Sequence, residues 1–295
     1  MSRREWNGRF NKQATETVDN DWYFLSSSGN HSLKVASIIG AMDSNDTTVS
    51  KPPLHFKNPP IVEAVIFISV SPLPESILEQ FDSLAAKMAE LGYKSPTSMS
   101  QNQFKLEIRE GKSKAETSDV RHGLRFDSTD GLHAVQFNRS EFLFSRLGRY
   151  ETWESFRDTA KKLWELYLGE IGPAELISFG VRYINKVFIP LDTDINLYLN
   201  IYPFLPQDIP QSVTEQFMRL AFPISDPQGV LVHQQILLPP EKEDFATVLL
   251  DNDFRFSAIG LSSAGIWDHF EKVRTIKDDY FVKFVTEKLM ETFNV

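Results

Sequence analysis

Ile61-Val62-Glu63-Ala64-Val65-Ile66-Phe67-Ile68-Ser69-Val70 is an almost continuous apolar, β-branched run, with Pro59 and Pro60 before it and Pro72 and Pro74 after it. Such a run reads as a central strand buried on both faces. From Glu75 onward, Ile77, Leu78, Phe81, Leu84, Ala85, Met88 and Leu91 recur at helical spacing until Gly92, a residue suited to the left-handed turn that closes a helix. Strands are predicted next over 103–109, 123–127, 132–138 and Glu141–Leu147, with Asp130-Gly131 as a hairpin turn between the second and third. A second helix carries Trp153, Phe156, Ala160, Leu163, Trp164 and Tyr167 on one stripe, and Gly172-Pro173 stops it.

The second half repeats this order. A long strand is predicted over Leu176–Pro190, a weak proline-interrupted helix over 195–205, strands over 215–223, Gly229–Leu238 and 244–256, and a closing helix over 266–293 with a break near Asp278-Asp279. Local sequence agrees: Phe142, Phe144, Ser145 and Leu147 followed by Trp153 and Phe156 parallel Phe254, Phe256, Ser257 and Ile259 followed by Trp267 and Phe270. Each reads F-x-F-S-x-[LI], a short gap, then W-x-x-F. The expected fold is therefore α+β: two related units, 51–173 and 174–295, each strand, helix, several strands, helix, with mainly antiparallel sheet and helices packed on it. Residues 1–50 are polar and without convincing periodicity, so an added or disordered extension is expected there, with translation starting at Met42.

Composition excludes several chemistries. The 295 residues contain no cysteine, so disulfides, thiolate metal sites and cysteine nucleophiles are out. There are 31 Lys+Arg against 40 Asp+Glu, a formal net charge of −9, which argues against nucleic acid and anionic membrane as partners. The densest basic stretch, 105–114, alternates with Glu107 and Glu110 and reads as a solvated charged loop. With no signal-peptide pattern or long apolar run, cytoplasmic localisation is expected. The 14 glycines are scattered and form no phosphate-binding loop, and the six histidines show no metal spacing, so no catalytic residue and no cofactor is assigned. A lone strand histidine such as His233 reads as a packed residue.

Two groups of polar residues stand out. Asp251-Asn252-Asp253 puts two carboxylates on one face of a strand, about 7 Å apart, which suits magnesium and makes Asp251 and Asp253 the metal candidates. The same residues have a plainer reading, since Asp253 and Glu141 occupy equivalent places just before F-x-F-S. Glu63 and Arg182 each lie inside an apolar strand, where a charge must be paired or face a cavity. They are expected either to pair with each other or, with Tyr183 and Asn185, to line a polar ligand pocket. The aromatic load is expected in the core, and the loop 199–210 is expected either to plug the core or to present a partner site.

The segments PPIVEAVIFISV, RYETWESFRDTAKKLWELY with ISFGVRYINKVFIP, and FEKVRTIKDDYFVKFVTEKLMETF together resemble a sporadically distributed family of uncharacterised bacterial proteins. The resemblance runs from about Pro52 to Phe293 and leaves 1–41 outside. It brings no catalytic residues, but patchy occurrence implies mobile genetic neighbourhoods and a role in an accessory system such as phage defence. The leading expectation is a non-enzymatic interaction or sensor module with a protein partner encoded nearby, or a homodimer. The alternatives are a metal-dependent hydrolase or nuclease at Asp251 and Asp253, and a small polar ligand binder at Glu63, Arg182 and Asn185.

Overall fold

A computed structural model describes residues 54–109, 112–206, 208–209 and 213–294. The expected extension 1–50 and the start at Met42 lie outside the described residues. In chain order the elements are β1 (Ile61–Val70), α1 (Ile77–Glu90), β2 (Thr97–Arg109), β3 (Lys112–Asp127), β4 (His133–Asn138), β5 (Glu141–Leu147), α2 (Trp153–Ile171), β6 (Leu176–Pro190), β7 (Phe217–Ile224), β8 (Gly229–Leu238), β9 (Phe245–Ser257), α3 (Ile266–Phe284) and α4 (Glu287–Glu291). The fold is α+β, and the nine strands among the described residues form one sheet in the order β2-β3-β4-β5-β1-β6-β9-β8-β7. Every described neighbour pair is antiparallel. The strand that the Ile61–Val70 run predicts is central, flanked by β5 and β6.

Strand alternation sorts the core. Ala64, Ile66, Ile68 and Val70 of β1 enter one hydrophobic cluster with Phe142 and Phe144 of β5, Phe179, Val181 and Tyr183 of β6, and Phe254 and Phe256 of β9. Helix residues belong to the same cluster: Phe81 and Met88 of α1, Phe156, Trp164 and Tyr167 of α2, and Trp267 and Phe270 of α3. Ring contacts tie helix to strand, with Phe142 against Trp164 at 5.5 Å, Phe144 against Phe156 at 5.5 Å and Phe179 against Phe270 at 5.0 Å. Each such buried ring contributes about 2–3 kcal/mol of transfer free energy, so the aromatic stripes dominate the packing of this face.

Helix ends follow local chemistry. Thr152 caps α2, its hydroxyl accepting from the Ser155 N–H at 3.2 Å, and Gly172 leaves the helix with φ of 73°. Gly92, with φ of 84°, closes α1 as its position predicts.

Three expectations are corrected. Within the stretch 105–114, residues 105–109 and 112–114 are not loop but the ends of β2 and β3, whose register sets Lys105 opposite Glu116 and Glu107 opposite Lys114. Alternating charge that suggests a solvated loop is equally the pattern of an antiparallel ribbon with polar residues on both strands. The helix predicted over 195–205 is reduced to a single 3-10 turn, Ile195–Leu197, because Tyr198 and Leu199 turn inward into a second core cluster with Val187, Ile189, Val248, Leu250, Val285, Leu289 and Phe293. Finally, the closing helix breaks at Val285 rather than at Asp278-Asp279. Leu199 bridges to Val285, and the Asn200 side-chain amide donates to the carbonyls of Lys283 and Val285, so the 198–200 segment satisfies the orphan groups at the end of α3.

Candidate functional site

Adjacent residues in β6 point to opposite faces, and this divides the residues singled out in the sequence. Tyr183 and Asn185 face the helices; Arg182 faces the other way. A pocket shared by Glu63, Arg182, Tyr183 and Asn185 is thus ruled out by the pleat. Arg182 is also not paired with Glu63. Across β6 and β9 its Nε donates to Asp251 Oδ1 at 2.9 Å and its Nη2 to Asp251 Oδ2 at 2.6 Å, a two-pronged pair with Asp251 only 4 % exposed. Register alone does not make the choice: Glu63 of β1 and Asp251 of β9 both lie opposite Ile184, each one diagonal step from Arg182, and the guanidinium turns to Asp251.

Asp251 and Asp253 do share a face, as alternation predicts, but both are held by arginines. Asp253 Oδ2 accepts from Arg255 Nε at 2.9 Å. Burial pushes the Asp253 carboxyl above the usual carboxylate range, with Arg255 and Arg182 pulling it part of the way back, and its Oδ1 is buried with no hydrogen-bond partner. Glu141, which accepts from the Ser69 hydroxyl at 3.3 Å, is likewise raised by burial, Arg255 opposing. The charged face is therefore a succession of acids and arginines: Glu141, Arg255, Asp253, Arg182, Asp251. Among the described residues no group of three His, Asp or Glu side chains is arranged to hold a metal ion.

The helix-side face holds a cavity. Between the segment 54–61, the 150–151 turn, β6, β9 and α3 lies a pocket where the space open to the centre of a water-sized sphere is about 70 Å³. At about 10–15 Å³ per water, that is room for several waters or a small planar group. Its floor is the β6/β9 pair, where Tyr183 lies opposite Asn252 and Asn185 opposite Leu250. Its walls are Phe56, Ile61, Tyr150, Phe254 and Phe281, and Lys277 and Asp278 of α3 reach into it.

The pocket's polar groups are tied to one another. The Tyr150 and Tyr183 hydroxyls share a hydrogen bond at 3.2 Å, and burial raises both phenols well above the ordinary tyrosine value. Asn185 Nδ2 donates to the Leu250 carbonyl at 3.3 Å. His233 Nδ1 meets Asn252 Oδ1 at 2.7 Å, and because an amide oxygen only accepts, the proton is on Nδ1. Burial lowers the His233 pKa, more than the Asn252 bond restores, Nε2 is unpartnered, and the ring centroid lies 4.4 Å from that of Phe284. The Lys277 ammonium, depressed by burial, pairs with Asp278 at 2.5 Å and stands 4.6 Å over the Tyr183 ring.

Sequence reasoning found Tyr183 and Asn185 but missed Asn252, Tyr150, Lys277 and Asp278. Asn252 carries no chemical signal of its own between Asp251 and Asp253, although period-2 alternation assigns it to the other face. Tyr150 of the turn before α2 and the Lys277-Asp278 pair of α3 meet β6 only in the folded chain, and no local signal marks them. No protein-family model matches the chain, and no curated protein matches it. No helix among the described residues is long and apolar enough to cross a membrane.

Proposed function

We propose that the chain is a sensor module that binds a small polar ligand in the Tyr183/Asn185/Asn252/Lys277 pocket and reports its presence to a protein partner. The observation that carries this reading is the convergence in one cavity of polar atoms from β6, β9, the 150–151 turn and α3, closed on one side by the segment that leads into β1. A ligand there touches elements far apart in sequence, so its binding free energy is linked to how they sit together. The opposite, charged face supports a structural role, since both of its aspartates are held by arginines.

The arrangement of the two halves supports an internal duplication as the origin of this site. Outward from the β1/β6 pair the strands run β5, β4, β3 on one side and β9, β8, β7 on the other, and Glu141 and Asp253 fall at matching places before F-x-F-S. In this reading the two units are 51–173 and 174–295, and the ligand lies close to their junction. The bacterial family resemblance supports a partner encoded nearby and service in an accessory system such as phage defence. Phe204, 83 % exposed in the proline-punctuated loop after β6, is a candidate contact for that partner.

Thermal shift with fractionated metabolite pools tests the ligand reading. A stabilising fraction whose effect disappears in Tyr183→Phe and Asn185→Ala is expected, and a response unaltered in both variants overturns it. Affinity capture from the native host with quantitative mass spectrometry tests the partner, for which a stoichiometric neighbour-encoded protein is the expected result. Clean recovery of the chain alone defeats that part of the proposal.

A further inference from the structure

The ligand's chemistry follows from what the pocket's amides have left to offer. Asn185 spends an N–H on the Leu250 carbonyl, which leaves its amide oxygen as an acceptor. Asn252 spends its oxygen on His233, whose Nδ1–H fixes the amide's orientation and leaves the NH2 group as a donor. The two residues lie on neighbouring strands and line the same pocket, one diagonal step apart in the register, so their Cβ atoms are about 7 Å apart. A donor and an acceptor therefore remain side by side on the floor, both on side chains less than 5 % exposed. Left unmet, such buried groups are costly, so the site favours a group that meets both.

Charge narrows the class further. Lys277 is neutralised by Asp278 at 2.5 Å, and Glu151 accepts from Arg146 at 3.4 Å, so these charges are already answered within the protein. A phosphate or carboxylate would meet no unpaired lysine or arginine among the lining residues. The Tyr150, Tyr183 and Phe281 rings give a flat apolar group surfaces to lie against.

We propose that the pocket recognises an uncharged planar amide, an N–H beside a C=O, with Asn185 accepting from the former and Asn252 donating to the latter. This rests on the ligand-binding reading above. A carboxamide on a ring and the lactam edge of a pyrimidine-like base present the same chemistry.

Isothermal titration of the full chain with two matched pairs of probes tests the proposal: benzamide against benzoate, and uracil against 1,3-dimethyluracil. The amide member of at least one pair is expected to bind about 10- to 100-fold tighter than its partner, the worth of a buried hydrogen bond. Benzamide selectivity identifies a carboxamide as the source, and uracil selectivity a lactam ring. Asn252→Asp, which keeps the acceptor for His233 and removes the donor, is expected to weaken the preferred probe by a similar factor while its melting curve confirms folding. Equal binding within both pairs, or undiminished binding by folded Asn252→Asp, overturns the amide proposal. If no probe binds while a metabolite fraction still stabilises the protein through Tyr183, the amide assignment fails and the pocket stands. If neither probes nor fractions act, both fail. The paired probes on the unaltered chain keep the test decisive even if Asn252→Asp does not fold.

Discussion

On the helix side of β6, Phe179, Val181, Tyr183 and Asn185 meet aromatic rings and a cavity; on the far side, Gly180 and Arg182 meet Phe67 and a string of charges. The helix side is packed by rings, and the polar residues that β6 and β9 send to its cavity, Tyr183, Asn185 and Asn252, are uncharged. The far side, though much of its centre is also buried, carries arginines two-pronged onto carboxylates. Residues one apart thus live in different media. Along β6 and β9 the comparison teaches that the strands' ion pairs lie on one face and their uncharged amides and phenol on the other.

The largest effect should come from the point where the far face is tightest. A Cβ built on Gly180 lies 2.0 Å from the Phe254 carbonyl oxygen and 2.5 Å from the Phe67 ring, neither of which can move without shifting the sheet. Gly180→Ala should cost about 3 kcal/mol or more and leave little soluble folded protein, as read by circular dichroism and solubility. A variant that melts like the original would show that the two faces are not rigidly coupled.

Next in size is Arg182→Ala, which strands Asp251 in a buried position and should cost about 3 kcal/mol in chemical denaturation. Replacing both partners together, Arg182→Met with Asp251→Leu, should recover most of that loss. Failure to recover would mean that the pair does more than satisfy itself.

A smaller effect concerns pH. Asp253 and Glu141 have folded-state pKa values above the ordinary carboxyl range, so each group's contribution to stability is greatest at acid pH and is lost as pH rises through the raised value. Asp253→Asn removes one of them. Between about pH 7 and about pH 4 the original chain should gain stability relative to this variant, as the difference in melting temperature will show. A gap that moves the other way contradicts the assignment of burial as the dominant cause.

The smallest change in stability is expected on the helix side. Tyr183→Phe removes one shared hydrogen bond and keeps the ring, so it should cost about 1 kcal/mol or less while reducing ligand-dependent stabilisation severalfold. Comparison of its denaturation midpoint with its ligand response separates the two roles.

Much of the architecture was legible. The prolines around Ile61–Val70, the aromatic stripe of Trp153–Ile171 and the boundaries of Glu141–Leu147, Leu176–Pro190 and Gly229–Leu238 all follow from periodicity and punctuation, and the structure places the elements there. The 195–205 segment was misread because Tyr198 and Leu199 take their place from a distant partner, Val285, which no local pattern reveals. Glu63 and Arg182 each read as an odd charge in an apolar strand and hence as partners, yet Glu63 and Asp251 lie at equivalent diagonal positions to Arg182 and the guanidinium is bonded to Asp251.

By itself, the sequence determined the element order, the buried stripes and the faces on which alternating residues must lie, because these depend on short-range geometry and burial. Tertiary structure decided which strands are neighbours and in what register, and hence that Tyr183 shares a pocket with Asn252 of β9 and Lys277 of α3. Register is set by the summed packing of whole strands and helices. Partners across a sheet therefore become known only when the entire core is assembled.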